Sequence, residues 1–144
     1  MDKQLESDAA IPAWFWVAVG LALAFEAFGC FMYLTQVTTD PASLPIDQRA
    51  MWNATPPWMV AAYAVAVWVG LIGAILLLVR RRLAVPVLLA SLVAVLVQFG
   101  GVMLVPSVRE VTPDSAFALP IAITVICYGI FMLSRLAYRR GWLR

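Results

Sequence analysis

Residues 57–105 read PWMVAAYAVAVWVGLIGAILLLVRRRLAVPVLLASLVAVLVQFGGVMLV. Two apolar runs, 57–79 and 83–105, hold no Asp, Glu, Lys or Arg, and only Arg80-Arg81-Arg82 separates them. A bilayer core about 30 Å thick takes roughly 20 apolar helical residues to cross. Each run is long enough. The pair predicts a helical hairpin that crosses a membrane twice and turns on three arginines. Two further runs, 11–34 and 116–137, bring the expected spans to four. Pro12 and Pro57 suit first helical turns. Pro86 and Pro120 fall in first turns as well, where a missing N–H costs little. Pro106 stops the third run.

Composition agrees. Of the 144 residues, 64% are hydrophobic and 12% charged, and the mean hydropathy is +0.92. A soluble domain is about 45–50% apolar and about 25% charged. A chain this apolar cannot cover its own surface in water. The expected class is therefore all-α: a polytopic membrane protein of one domain, with four transmembrane helices in an antiparallel bundle. The first span is read as an uncleaved helix. Its leader carries Asp2, Glu6 and Asp8 against Lys3, so the positive region of a signal peptide is missing.

The connections differ in character. Residues 35–56 and 106–115 are polar loops. Pro41, Pro45 and Pro56 punctuate the first, which argues against a long helix there.

Basic residues near helix ends favour the cytoplasm. Four spans put Lys3, Arg80, Arg81, Arg82, Arg135, Arg139, Arg140 and Arg144 on one side, against Arg49 and Arg109 on the other. Asp40, Asp47, Glu110 and Asp114 lie in the two sparsely basic loops. Both termini are therefore expected in the cytoplasm. Arg80, Arg81, Arg82, Arg139, Arg140 and Arg144 are expected to set topology or to meet anionic lipid headgroups, at about 1 kcal/mol per basic residue. Because these charges lie against the membrane, nucleic acid is not an expected partner.

Histidine is absent. That removes the commonest general base, the commonest metal ligand and the usual haem ligand. Cys30 and Cys127 have no zinc-type spacing and read as small buried hydrophobes. Ser91 and Ser134 have no visible base. No enzyme chemistry, no metal and no cofactor is expected.

The helix interiors carry stripes of small residues, such as Ala62, Ala66, Gly70 and Ala74, which read as packing faces. Glu26 is the only acid within a span. A charged acid at the bilayer centre costs several kcal/mol, and such residues are functional candidates. A rise of about 1.5 Å per residue from the inner helix ends puts Glu26 and Gln98 roughly 22 Å up. The same count puts Tyr63 at roughly 24 Å and Thr124 at roughly 20 Å. These four are expected to form one polar layer. Three roles follow: a proton or cation relay for transport, a hydrogen-bonded lock between helices, or a contact to a partner, lipid or quinone headgroup.

Across nearly its full length the chain resembles a group of short bacterial inner-membrane proteins loosely labelled "sugar transporter". The resemblance rests on Trp14-Phe15-Trp16, Tyr33-Leu34-Thr35-Gln36-Val37-Thr38 and Ala54-Thr55-Pro56-Pro57-Trp58. It continues through Leu76-Leu77-Leu78 with Arg80, Gln98, and Arg140-Gly141-Trp142-Leu143-Arg144. It implies a multi-pass protein of the bacterial inner membrane. Glu26-Ala27-Phe28-Gly29 is also similar to the glutamate-bearing first helix of the small multidrug resistance transporters, over those few residues alone. The function expected first is an accessory or structural subunit of a larger membrane complex. The alternative is a small-solute transporter, sugar-like or cation- or proton-coupled, acting as an oligomer. Expected partners are membrane lipids and either other membrane subunits or further copies of the chain.

Overall fold

The computed structural model describes residues 11–144, so Asp2, Lys3, Glu6 and Asp8 lie outside the described residues. Six helices follow in order: α1 Ala13–Thr38, α2 Ile46–Ala54, α3 Pro57–Leu78, α4 Ala84–Leu104, α5 Pro106–Val111 and α6 Ala118–Arg139. Single 3₁₀ turns occupy Pro41–Ser43 and Asp114–Phe117. Among the described residues there is no strand. Four helices, α1, α3, α4 and α6, are long and apolar enough to cross a membrane.

Their outer faces are apolar too. Val17, Leu21, Phe28, Ile121 and Val125 are each more than 60% exposed. A helix that is hydrophobic all round is buried in protein or in lipid. Here the protein covers only one stripe, so lipid is the solvent that fits the rest.

The helices pack as neighbours in the order α1, α3, α4, α6, and α3 lies closest along α4. Their ends alternate. The start of α1, the α3–α4 turn and the end of α6 meet at one end, where Trp142 packs edge-on against Trp14 and Phe15 at 5.9 and 5.2 Å. Close approach depends on glycine. A Cβ on Gly73 would stand 2.6 Å from Leu88 Cδ2, and one on Gly101 would stand 2.7 Å from Trp58.

The three-arginine turn is a helix cap. Arg81 N–H donates to Leu76 O at 2.8 Å and Arg80 N–H to Leu77 O at 3.1 Å, with Arg80 at φ +61°. This is the Schellman arrangement, which puts a left-handed residue just past the helix. Gly141 repeats it after α6 at φ +71°, with Trp142 N–H donating to Ala137 O at 2.9 Å. The second cap folds Trp142 and Leu143 inward, where both are buried. Main-chain bonds then tie the tail to the turn, from Arg82 N–H to Arg144 O at 3.0 Å and from Arg144 N–H to Arg80 O at 2.6 Å. Arg80 Nε donates to Trp142 O at 2.8 Å.

At the far end no long helix forms; it holds two short ones, α2 and α5. Pro45 precedes α2 and Pro56 follows it, so the prolines bound the helix instead of breaking it. Arg49 donates to the carbonyls of Pro41, Ala42 and Leu44 at 3.1, 2.6 and 3.2 Å. α2 packs on α5, and the two short helices lie over the ends of the long ones.

A candidate ligand cleft around Glu26

Glu26 is 4% exposed although it is acidic. Glycine makes the room for it. A Cβ on Gly70 of α3 would fall 2.7 Å from Glu26 Cδ and 2.8 Å from Ser91 Oγ of α4. Three helices therefore converge on one carboxyl. Ser91 Oγ is committed elsewhere and donates to Ala66 O at 2.7 Å.

Beside the carboxyl lies a cavity of about 290 Å³. Glu26, Tyr63 and Gln98 all line it, together with Phe25, Phe99 and Cys127. A second space of about 360 Å³ beneath α2 and α5 shares Tyr63, Gln98 and Phe99 with it as lining. Gln36, Thr55 and Thr112 add polar groups to that outer space. These two adjoining spaces, the one beneath α2 and α5 and the one beside Glu26, are termed the cleft.

The expected polar layer is thus assembled in part. Glu26, Tyr63 and Gln98 share one cavity, but neither Tyr63 nor Gln98 bonds to the carboxyl. Thr124 does not belong to it. Its Oγ1 donates to Pro120 O at 2.8 Å within its own helix, the back-bonding that a helical threonine readily makes. Backbone depth misleads here because side chains lean toward the N-terminus of their own helix. On α1 that direction brings the Glu26 carboxyl down toward Gly70 and Ser91. On α3, which runs the other way, it tips Tyr63 outward, where its ring meets Tyr33 edge-on at 5.4 Å. Gly70 lay on a stripe legible as a packing face. Its role as the socket for Glu26 follows only when side-chain lean is added.

Both cysteines are free and buried. Cys30 donates to Val67 O at 3.3 Å and Cys127 lines the cavity. The arginine cluster falls into two parts. Arg80 is half-buried and anchors the tail. Arg81, Arg82, Arg139, Arg140 and Arg144 are exposed at that end of the helix array, Arg82 lying 6.0 Å over the Tyr138 ring.

A third feature lies where α1 faces α6. These two helices barely touch through their backbones, and an apolar groove of about 370 Å³ runs between them. Ala18, Leu21 and Ala22 form one wall, and Gly129, Ile130 and Leu133 the other. Phe25 and Ile126 line both this groove and the Glu26 cavity.

No protein family, curated protein or solved structure matches the chain.

Proposed function

We propose that the chain is a multi-pass protein of a bacterial inner membrane that takes a small molecule into the cleft above Glu26 and does no covalent chemistry on it. The observation that carries this reading is a buried acidic side chain, Glu26, lining a cavity that Tyr63 and Gln98 also line. A polar group among apolar neighbours gains from a hydrogen bond. A lock between helices would draw that bond from Gln98 or Tyr63, and neither bonds to the carboxyl. A ligand that donates a hydrogen bond to Glu26 supplies it instead. Movement of the ligand through the membrane would make the chain a transporter, and four helices per copy then imply an oligomer. The resemblance to proteins labelled sugar transporters points the same way.

The arginine-rich end is assigned to the cytoplasm by the excess of basic residues there. The four spans then form an antiparallel bundle with both termini inside, and the cleft opens outward.

Cysteine accessibility tests the cleft. In a background lacking Cys30 and Cys127, Gln98→Cys is expected to react with a water-soluble thiol reagent applied from outside. Val97→Cys, at nearly the same depth but on the 48% exposed outer face, is expected to stay unreactive in lipid. Equal reaction rates would sink the proposal.

A subunit role in a larger complex draws on a different observation, the thin α1–α6 contact. A neighbouring protein helix would cover that seam. Gentle extraction followed by mass spectrometry of the intact assembly distinguishes this role, because it requires a protein partner in fixed ratio.

A further inference from the structure

We propose that the cleft and the α1–α6 groove are one site, which binds a single-chain amphipath with its hydrogen-bond-donating head at Glu26 and its chain along the groove. The inference rests on the cleft reading above and extends it to the class of ligand and its route of entry.

Three observations join. The first is the change in lining chemistry between two adjoining spaces that share Phe25 and Ile126. Near Glu26 the cavity presents a carboxyl, a phenol and an amide, from Glu26, Tyr63 and Gln98. Beyond Phe25 and Ile126, which line both spaces, the groove walls are Ala, Leu, Ile and Gly alone. A molecule that satisfies both parts is polar at one end and apolar along the other.

The second is the shape of the groove. It follows α1 from Phe25 back to Ala18, about 10 Å at 1.5 Å per residue. That suits an extended chain better than a compact ring. Gly129 borders open space, since a Cβ there would meet no atom within 4 Å.

The third is access. Leu21 is 68% exposed and Ile126 is 44% exposed, and both line the seam. In a bilayer the seam faces lipid, so a chain can enter sideways while its head passes directly to Glu26. The head need not cross open hydrocarbon far from a partner, which is the costly step for a polar group in a membrane. The chain gains little from the hydrophobic effect, since lipid is equally apolar. Its selectivity comes from fit, as helix packing in membranes does. The head contact then decides affinity, and the groove decides which chains are accepted.

The test uses purified full-length protein in a mild maltoside detergent, with native mass spectrometry to count adducts. The probes are dodecanol, dodecylamine, dodecyl methyl ether and hexylamine. Dodecanol and dodecylamine are expected to bind one per chain. The ether, which donates no hydrogen bond, is expected to bind at least tenfold more weakly, and so is hexylamine, whose chain is too short to fill the groove. Glu26→Gln is expected to reduce dodecylamine binding at least tenfold. Gly129→Leu, which fills the groove where there is open space, is expected to do the same. Gly20→Leu, on an exposed face with open space around it, is expected to leave binding unchanged. Circular dichroism and thermal melting of each variant check that it is folded.

The outcomes separate. If Glu26→Gln weakens binding but Gly129→Leu and chain length do not matter, the amphipath inference is overturned while the cleft reading stands. If neither variant matters, both fall. If the seam is found occupied by a protein helix or a second copy that Gly129→Leu releases, the groove is an interface and the inference is again overturned.

Discussion

Replacing Gly70 with alanine tests the socket that the helices build around Glu26. The new methyl would stand 2.7 Å from Glu26 Cδ and 2.8 Å from Ser91 Oγ, and closer still to Glu26 Oε2. Ser91 is held by its bond to Ala66 O, so the carboxyl or the helix backbone has to move. Overpacking of this kind costs about 1–3 kcal/mol, and alanine returns up to about 1 kcal/mol through helix propensity. The net expectation is a loss of about 1–2 kcal/mol. Glu26→Ala removes the closest clash, so Gly70→Ala should cost much less in that background. Contacting residues typically couple by about 0.5–3 kcal/mol, and a coupling of at least 1 kcal/mol is expected here. Gly129→Ala is the control: with no atom within 4 Å of the new methyl, it should be neutral or stabilising. Unfolding in mixed micelles, followed by circular dichroism, gives all four values of the cycle. Additive effects of Gly70→Ala and Glu26→Ala would show that the carboxyl does not sit on Gly70, and the cleft would lose its floor.

Three further outcomes are expected. At Arg80, glycine should be more stable than alanine by about 1 kcal/mol, because only glycine relieves the left-handed backbone while both lose the bond to Trp142 O; equal unfolding midpoints would contradict the cap. Trp142→Ala removes a buried ring packed on Trp14 and Phe15, so a loss of about 3–5 kcal/mol is expected in the same micelle assay, and a loss below about 1 kcal/mol would mean that the tail does not dock. For topology, Ser43→Cys should react with an impermeant maleimide on intact cells and Arg140→Cys only after lysis; the reverse pattern would invert the assigned orientation.

How far the sequence carries the structure depends on the range of the interactions. The four long helices are legible because length and apolarity act locally, and the 30 Å core sets one threshold for all of them. The charge asymmetry is equally legible, since it needs only a count along the chain. The ordered far end is not. Proline reads as a breaker in isolation, yet Pro45 and Pro56 frame α2, and Arg49 supplies hydrogen bonds to carbonyls up to eight residues away. Sequence spacing gives no direct sign of that.

The tail and the cleft show two kinds of missing information. In the tail the signal is present: a glycine just past α6, followed by Trp142, is the pattern in which a left-handed cap turns an apolar residue back onto the helix. Reading Trp142 by its type alone places it at the lipid interface, whereas the cap makes it a plug against Phe15. In the cleft the missing quantity is direction. Depth along a helix locates Cα atoms, but Glu26, Tyr63 and Thr124 act through atoms several ångströms away. The lean of each side chain follows the direction of its helix, so antiparallel neighbours at equal depth point apart. Thr124 then finds the Pro120 carbonyl in its own helix, Tyr63 finds Tyr33, and Glu26 comes to rest on glycine. The layer is divided instead, with only Glu26, Tyr63 and Gln98 left lining one cavity.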